Sequence, residues 1–234
     1  MSPFSRRVAC PNASPTMSRG LVLLLVTMTA ACSGAGGTTT ITFGEGAGSP
    51  GEAVAELRSL LSDGDFAAAS SLAVPDQAAL ASLAEGASTG EVAAALETDD
   101  AEVAASFWEG FAQGAGDTFA GEATIEDLGT ATEEGVEFFL VGLTAESGVE
   151  QVLVTRDIDG QRIDLFASFG AGLAEDMRSP VEIMLGSPGA DSGVILAALQ
   201  DVVPSLLVAA SDDSLSPQTV QEILQLVELI TRVG

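Results

Sequence analysis

Carboxylates are almost the only side chains here that could do chemistry. The chain has 34 aspartates and glutamates, no histidine and no tyrosine, and its eight basic residues are all arginines. Without histidine or lysine it cannot activate a nucleophile through a Ser-His-Asp or Cys-His arrangement, form a Schiff base, or grip phosphate with a P-loop lysine. What remains is a paired-acid hydrolase or an oxygen-ligated metal. Asp157-Ile-Asp159-Gly160 with Asp164 beyond it has the look of a calcium loop. It lacks the third oxygen ligand before its glycine and the glutamate that closes a twelve-residue loop, whereas a hairpin turn accounts for Asp159-Gly160 fully. Of the doublets Asp99-Asp100, Glu133-Glu134, Glu175-Asp176 and Asp212-Asp213, the first suits a helix cap, the second a turn and the last a loop, and nothing near any of them suggests burial. No catalytic residue, metal ligand or cofactor site is therefore expected.

Two other groups merit a place as candidate ligand-pocket residues. Arg156 and Arg162 flank the Asp159-Gly160 turn in a chain where positive charge is scarce. Either could hold a carboxylate or phosphate, or pair with Asp157, Asp164 or Glu150. Phe107, Trp108 and Phe111 lie at helical spacing and could line a pocket or simply fill a core.

Cys32 stands apart from all of these. Arg19 is followed by an uncharged apolar run, Leu21 to Ala31, and then Thr29, Ala30 and Ala31 lead directly into Cys32. This layout resembles a bacterial lipoprotein signal, the lipobox, with Thr29 where leucine is commoner. The resemblance implies cleavage after Ala31, lipidation of the Cys32 sulfur, and a domain anchored to the cell membrane outside the cytoplasm. Residues 1–31 are then a signal peptide, although Met17-Ser-Arg-Gly already forms a complete n-region and makes Met17 a second candidate start. Arg6-Arg7 lies too far from the apolar run for a twin-arginine signal. The run is also shorter than the roughly 20 apolar residues a spanning helix needs. Residues 32–48, rich in Gly and Thr, read as the lipidated cysteine and a flexible tether, and 49–234 as one globular domain. With Cys10 in the leader and Cys32 capped, that domain has neither a free thiol nor a disulfide, so zinc and iron–sulfur ligation in their usual forms are excluded as well.

All the acids and five of the arginines lie beyond Cys32. Such an excess repels phosphate and anionic lipid, so no nucleic-acid partner is expected. Spread over solvent faces, the charge keeps the domain soluble, and a salt-adapted proteome produces the same balance without functional meaning.

The elements that must position these residues follow from periodicity. Ser49-Pro50-Gly-Glu52 caps a helix with Val54, Leu57, Leu60 and Leu61 on one face, ended by Asp63-Gly64. A second helix from Asp65-Phe66 stops at Val74-Pro75, and a third spans about 76–85. Glu91–Glu97 coils weakly, and Thr98–Glu102 opens the helix carrying Val103 and the aromatic trio. Glu122–Leu128, Val136–Leu143, Val149–Ile158 and Arg162–Phe169 read as four strands of an antiparallel meander, the second apolar on both faces and central. Leu173–Arg178 is then a short helix reaching Pro180. Val194–Val203 and Ser205–Ala210 form a pair broken at Pro204, too polar in its middle to span a membrane. Ser216-Pro217 caps a last helix with Val220, Ile223, Leu224, Val227 and Ile230 inward.

The expected fold is α+β: N-terminal helices packed on a roughly four-stranded antiparallel meander, followed by C-terminal helices. The Gly64-Asp65-Phe66 helix break, the Phe107-Trp108 helix and the strand ending Arg162-Ile-Asp-Leu-Phe-Ala-Ser-Phe169 give residues 50–170 a resemblance in shape to the NTF2-like fold. That resemblance implies helices covering a bent sheet with a pocket between them. The family's isomerase branch uses a pocket tyrosine and aspartate, and the missing tyrosine keeps that activity from carrying over. The expected function is a noncatalytic, lipid-anchored envelope protein that binds a small apolar ligand or a partner protein. The alternatives are an accessory subunit of an envelope complex, or a hydrolase working with carboxylates alone.

Overall fold

Four antiparallel strands run in chain order across the sheet of the computed structural model, which describes residues 46–98, 107–113, 119 and 121–232. The lipobox with Cys32, most of the tether, the Asp99-Asp100 doublet and Val103 fall outside the described residues. The strands are β1 (Ala123–Glu133), β2 (Val136–Ala145), β3 (Glu150–Asp157) and β4 (Gln161–Ile163). Glu134 and Gly135 both take positive φ, 49° and 82°, and join β1 to β2 in a two-residue turn whose twist matches the strands. β1 outruns the expected end at Leu128. A bulge leaves Leu128 as the extra residue, the Asp127 carboxylate accepts the Gly129 N–H at 2.9 Å, and pairing then resumes to Glu133. That second half contains no large apolar side chain to announce a strand.

The Asp159-Gly160 turn is a hairpin, with φ of 53° and 102°, but its loop holds three residues because pairing closes at Asp157 and Gln161. Gly160 is needed here for a second reason. A Cβ on it would lie 2.7 Å from the backbone of Gly46, and one on Gly46 would lie 2.6 Å from Gly160. The two glycines let residues 46–47 lie on the hairpin, with Gly46 N–H donating to Asp159 O and Ala47 exchanging two bonds with Gln161.

The fourth strand ends much earlier than its alternating pattern indicates. From Leu165 the chain is helical, so Arg162–Phe169 is strand only through Ile163. Leu165, Phe166 and Ala167 are all buried, and an apolar run buried on every side has no period from which to tell strand from helix. The deciding residue is Asp164, whose carboxylate accepts the Ala167 N–H at 2.9 Å and caps the new helix. That helix, α5 below, continues to Gly186 and absorbs the short Leu173–Arg178 helix expected to stop at Pro180. An interior proline costs about 3 kcal/mol. Met177, Val181 and Met184 are buried on either side of Pro180, and burying each contributes about 1.5–3 kcal/mol, which outweighs it.

The remaining helices are α1 (Pro50–Asp63), α2 (Phe66–Leu72), α3 (Gln77–Ala81) and α4 (Thr89–Thr98) before the sheet. After it come α5 (Leu165–Gly186), α6 (Ser192–Asp201), α7 (Val203–Ala210) and α8 (Pro217–Thr231). Residues 107–113 are also helical. Ser49 caps α1 by accepting the Glu52 N–H, and Ser216 caps α8 by accepting that of Thr219. Ser88 and Glu91 form a reciprocal capping box on α4, whose bonds from Ser88 hold the exposed Glu91 carboxyl below its usual range. α3 is shorter than expected, giving way to turns up to Gly86. α8 faces inward with Ile223, Leu226 and Ile230, while Leu224, expected inside, is 45 % exposed.

The core fills one face of the sheet. Val141, Leu143, Leu153 and Ile163 meet α1 through Val54 and Leu57, together with buried residues of α5, α6 and α8. The opposite face presents Phe138, Leu140, Val152, Val154 and Arg156, and α7 crosses it, with Val208 packed on Phe138, Val154 and Ala167. Gly170 allows α5 to approach α7 closely, since a Cβ there would lie 2.8 Å from that of Ala209. No described helix is long and apolar enough to cross a membrane. α6 and α7 together pass on length and composition but are bent by 46°, and Ile195, Leu199 and Leu206 are buried in the core. The described residues form one mixed α+β body.

Candidate ligand clefts on the α7 face

Asp164 gathers partners from several elements. It is fully buried, and besides capping α5 it accepts the Ser205 hydroxyl of α7 at 2.8 Å and lies 3.5 Å from Nη1 of Arg156 on β3. Beside it Gln77 of α3 accepts the Leu165 N–H at 2.7 Å. Burial pushes the Asp164 carboxyl above its usual value. The Ala167 and Ser205 hydrogen bonds, the Arg156 charge and, least of all, the nearby Gln77 amide offset only some of that shift. Four elements thus converge on one carboxylate.

Arg156 is held on two sides. Its guanidinium faces Asp164 and stands 5.7 Å from the centre of the Phe138 ring, yet its side chain is 20 % exposed. It opens into a cleft of about 480 Å³ between the α2–α3 connection, the β1–β2 turn and the α6–α7 break. Asp76, Gln77, Glu134, Val136, Asp201 and Pro204 are among the residues around it. The Gln77 Nε2 is buried and makes no well-formed hydrogen bond.

At the other end of α7 lies a second concavity of about 250 Å³, lined by Leu128, Ala131, Leu140, Val152, Val154 and Val208 among others. Leu128 and Val152 are 50 % and 41 % exposed, unusual for large apolar side chains on a sheet face. Val208 of α7 packs on Phe138, Val154 and Ala167, so the floor of this hollow is continuous with the small core under the helix.

The residues singled out in the sequence do not converge on one site. Arg156 lines the polar cleft, whereas Arg162, its partner in register, is buried and donates to the carbonyls of Ile158 and Ser71, fastening α2 to the hairpin. Trp108 meets Phe107 and Phe111 edge to face, and Phe111 meets Phe119 and Phe169 in the same way. Phe107 and Trp108 are buried, and the Trp108 Nε1 is a buried donor without a partner. Glu134 sits in its turn, Glu175 and Asp176 are exposed on α5, and Asp212 accepts the Ser214 N–H in the loop before α8. Among the described residues no group of three acids could hold a metal ion.

Gln77 and Ser205 went unnoticed in the sequence because neither has a distinctive neighbourhood; only folding brings them to Asp164. Asp164 falls within the expected fourth strand, so its cap on Ala167 was missed; an aspartate ahead of an apolar run is the local signal that could have found it. Compared with known proteins, the chain matches no family model, no curated protein and no solved structure.

Proposed function

We propose that this is a noncatalytic binding protein, tethered to the cell membrane through lipid on Cys32, that takes a small apolar ligand in the hollow beside α7. The observation that carries the ligand reading is the 250 Å³ hollow, with Leu128 and Val152 left half uncovered at its rim. Leaving apolar side chains in water forgoes about 25 cal/mol for every Å² that could be buried, so a ligand that covers them gains the same quantity. The tether reading rests on the run from Leu21 into Cys32.

Native mass spectrometry of the protein from its own kind of host, compared with the denatured sample, tests the ligand. An added mass lost on denaturation is expected, and Val152→Glu, which places a charge in the hollow, should remove it. A clean apo mass for the unaltered protein would sink the ligand reading. Cys32→Ser is expected to release the protein from membranes or leave an uncleaved precursor. Normal processing and retention of that variant would sink the anchor.

A further inference from the structure

We infer that the Arg156 cleft is a second binding site, and that it takes a small zwitterion: a carboxylate and an ammonium on a short apolar body, as in a free apolar amino acid. Among the described residues, Arg156 is the only cation lining the cleft. It is braced from behind by the buried Asp164 and from the side by Phe138, while its side chain remains partly open to the cleft. A guanidinium fixed in this way presents its fork to a carboxylate with little rotamer freedom left to lose.

The remaining charges decide which carboxylate fits. Glu134 and Asp201 line the same cleft, so acids outnumber the single cation there. A simple anion meets more repulsion than attraction, and a simple cation is repelled by Arg156. A molecule carrying both charges satisfies both sets. Its body lies against Val136 and Pro204, and about 480 Å³ is within the usual range for small-molecule sites.

Calorimetric titration of the full-length protein with three probes tests this: L-leucine, leucinamide, which lacks the carboxylate, and 4-methylpentanoate, which lacks the amine. L-leucine is expected to bind, and each half-probe about tenfold more weakly or worse, the usual effect of deleting one charged hydrogen-bonding group. Glu134→Gln combined with Asp201→Asn, both at exposed positions, should weaken leucine by a similar factor and leave 4-methylpentanoate no weaker. Arg156→Gln should abolish leucine binding; if that variant does not fold, the rim pair decides alone. No heat with leucine at about 10 mM, equal binding of 4-methylpentanoate, or indifference to the rim changes would overturn the assignment. Val152→Glu should leave leucine binding intact, which separates this cleft from the apolar hollow.

Discussion

At the residue scale, Asp164 works against its own surroundings. A carboxyl whose folded-state value is raised binds its proton more readily in the native than in the unfolded chain. Its contribution to stability is fully present below the ordinary aspartate value of 3.8 and is lost as pH rises through the higher native value. Asp164→Asn removes this dependence, so the stability of the variant relative to the parent should increase from about pH 4 to about pH 7. Urea unfolding at both pH values checks this, and the comparison cancels the background of other acids. Asp164→Ala leaves the Ser205 hydroxyl and Ala167 N–H unmet and Arg156 without its buried counter-charge, and should cost about 3–5 kcal/mol at neutral pH. The caps at Ser49 and Ser216 were plain in the sequence because a cap is local chemistry. The association of Gln77, Arg156, Asp164 and Ser205 was not, because it joins residues up to 128 positions apart in sequence order.

At the scale of elements, the contrast between β2 and the start of α5 shows what periodicity can and cannot say. β2 is apolar on both faces, with Val141 and Leu143 in the main core and Phe138 against Val208 of α7, so its strand and its interior place in the sheet were both legible. Leu165–Phe169 alternates on paper, but Leu165 and Phe166 are both buried, and the apparent face means nothing. Pro180 misleads in the opposite direction, since a local stop signal is overruled by packing on both sides of it. Pro180→Ala restores an N–H to the middle of α5 and should stabilise the protein by about 1–3 kcal/mol. The midpoint of a urea transition measures this; an unchanged or lower midpoint would mean that the half-buried ring itself packs well enough to offset the missing bond. The exposed edge of β1 carries the bulge at Leu128 and the acids Glu126 and Asp127, devices that discourage a second chain from pairing there.

At the scale of the whole molecule, a formal charge of −26 is held with very few cations to offset it. The described ion pairs Arg178–Glu182 and Arg232–Glu228 are exposed, so each contributes about 1 kcal/mol at most, and salt weakens them. Self-repulsion is the larger effect, and screening relieves it. The melting temperature should therefore rise as sodium chloride is raised from about 10 mM to about 1 M, over which the screening length falls from roughly 30 Å to 3 Å. A flat or falling profile in a calorimetric scan would show that the carboxylates lie too far apart to repel. The acidic excess and the helix–sheet–helix order could be read from composition and pattern, but the two hollows could not. They arise where α7 crosses a sheet face it is too short to cover.

The contact between Gly46 and Gly160 has a mechanical consequence. Tension that reaches Gly46 passes to the β3–β4 hairpin through the bonds that Gly46 and Ala47 make to Asp159 and Gln161. Those bonds are few and lie at the margin of the sheet, so they break in succession under a modest pull. Beyond them the load meets α1, whose Val54 and Leu57 are buried against the core. The first residues of the domain thus act as a fuse, yielding a short length of chain before the core bears any force.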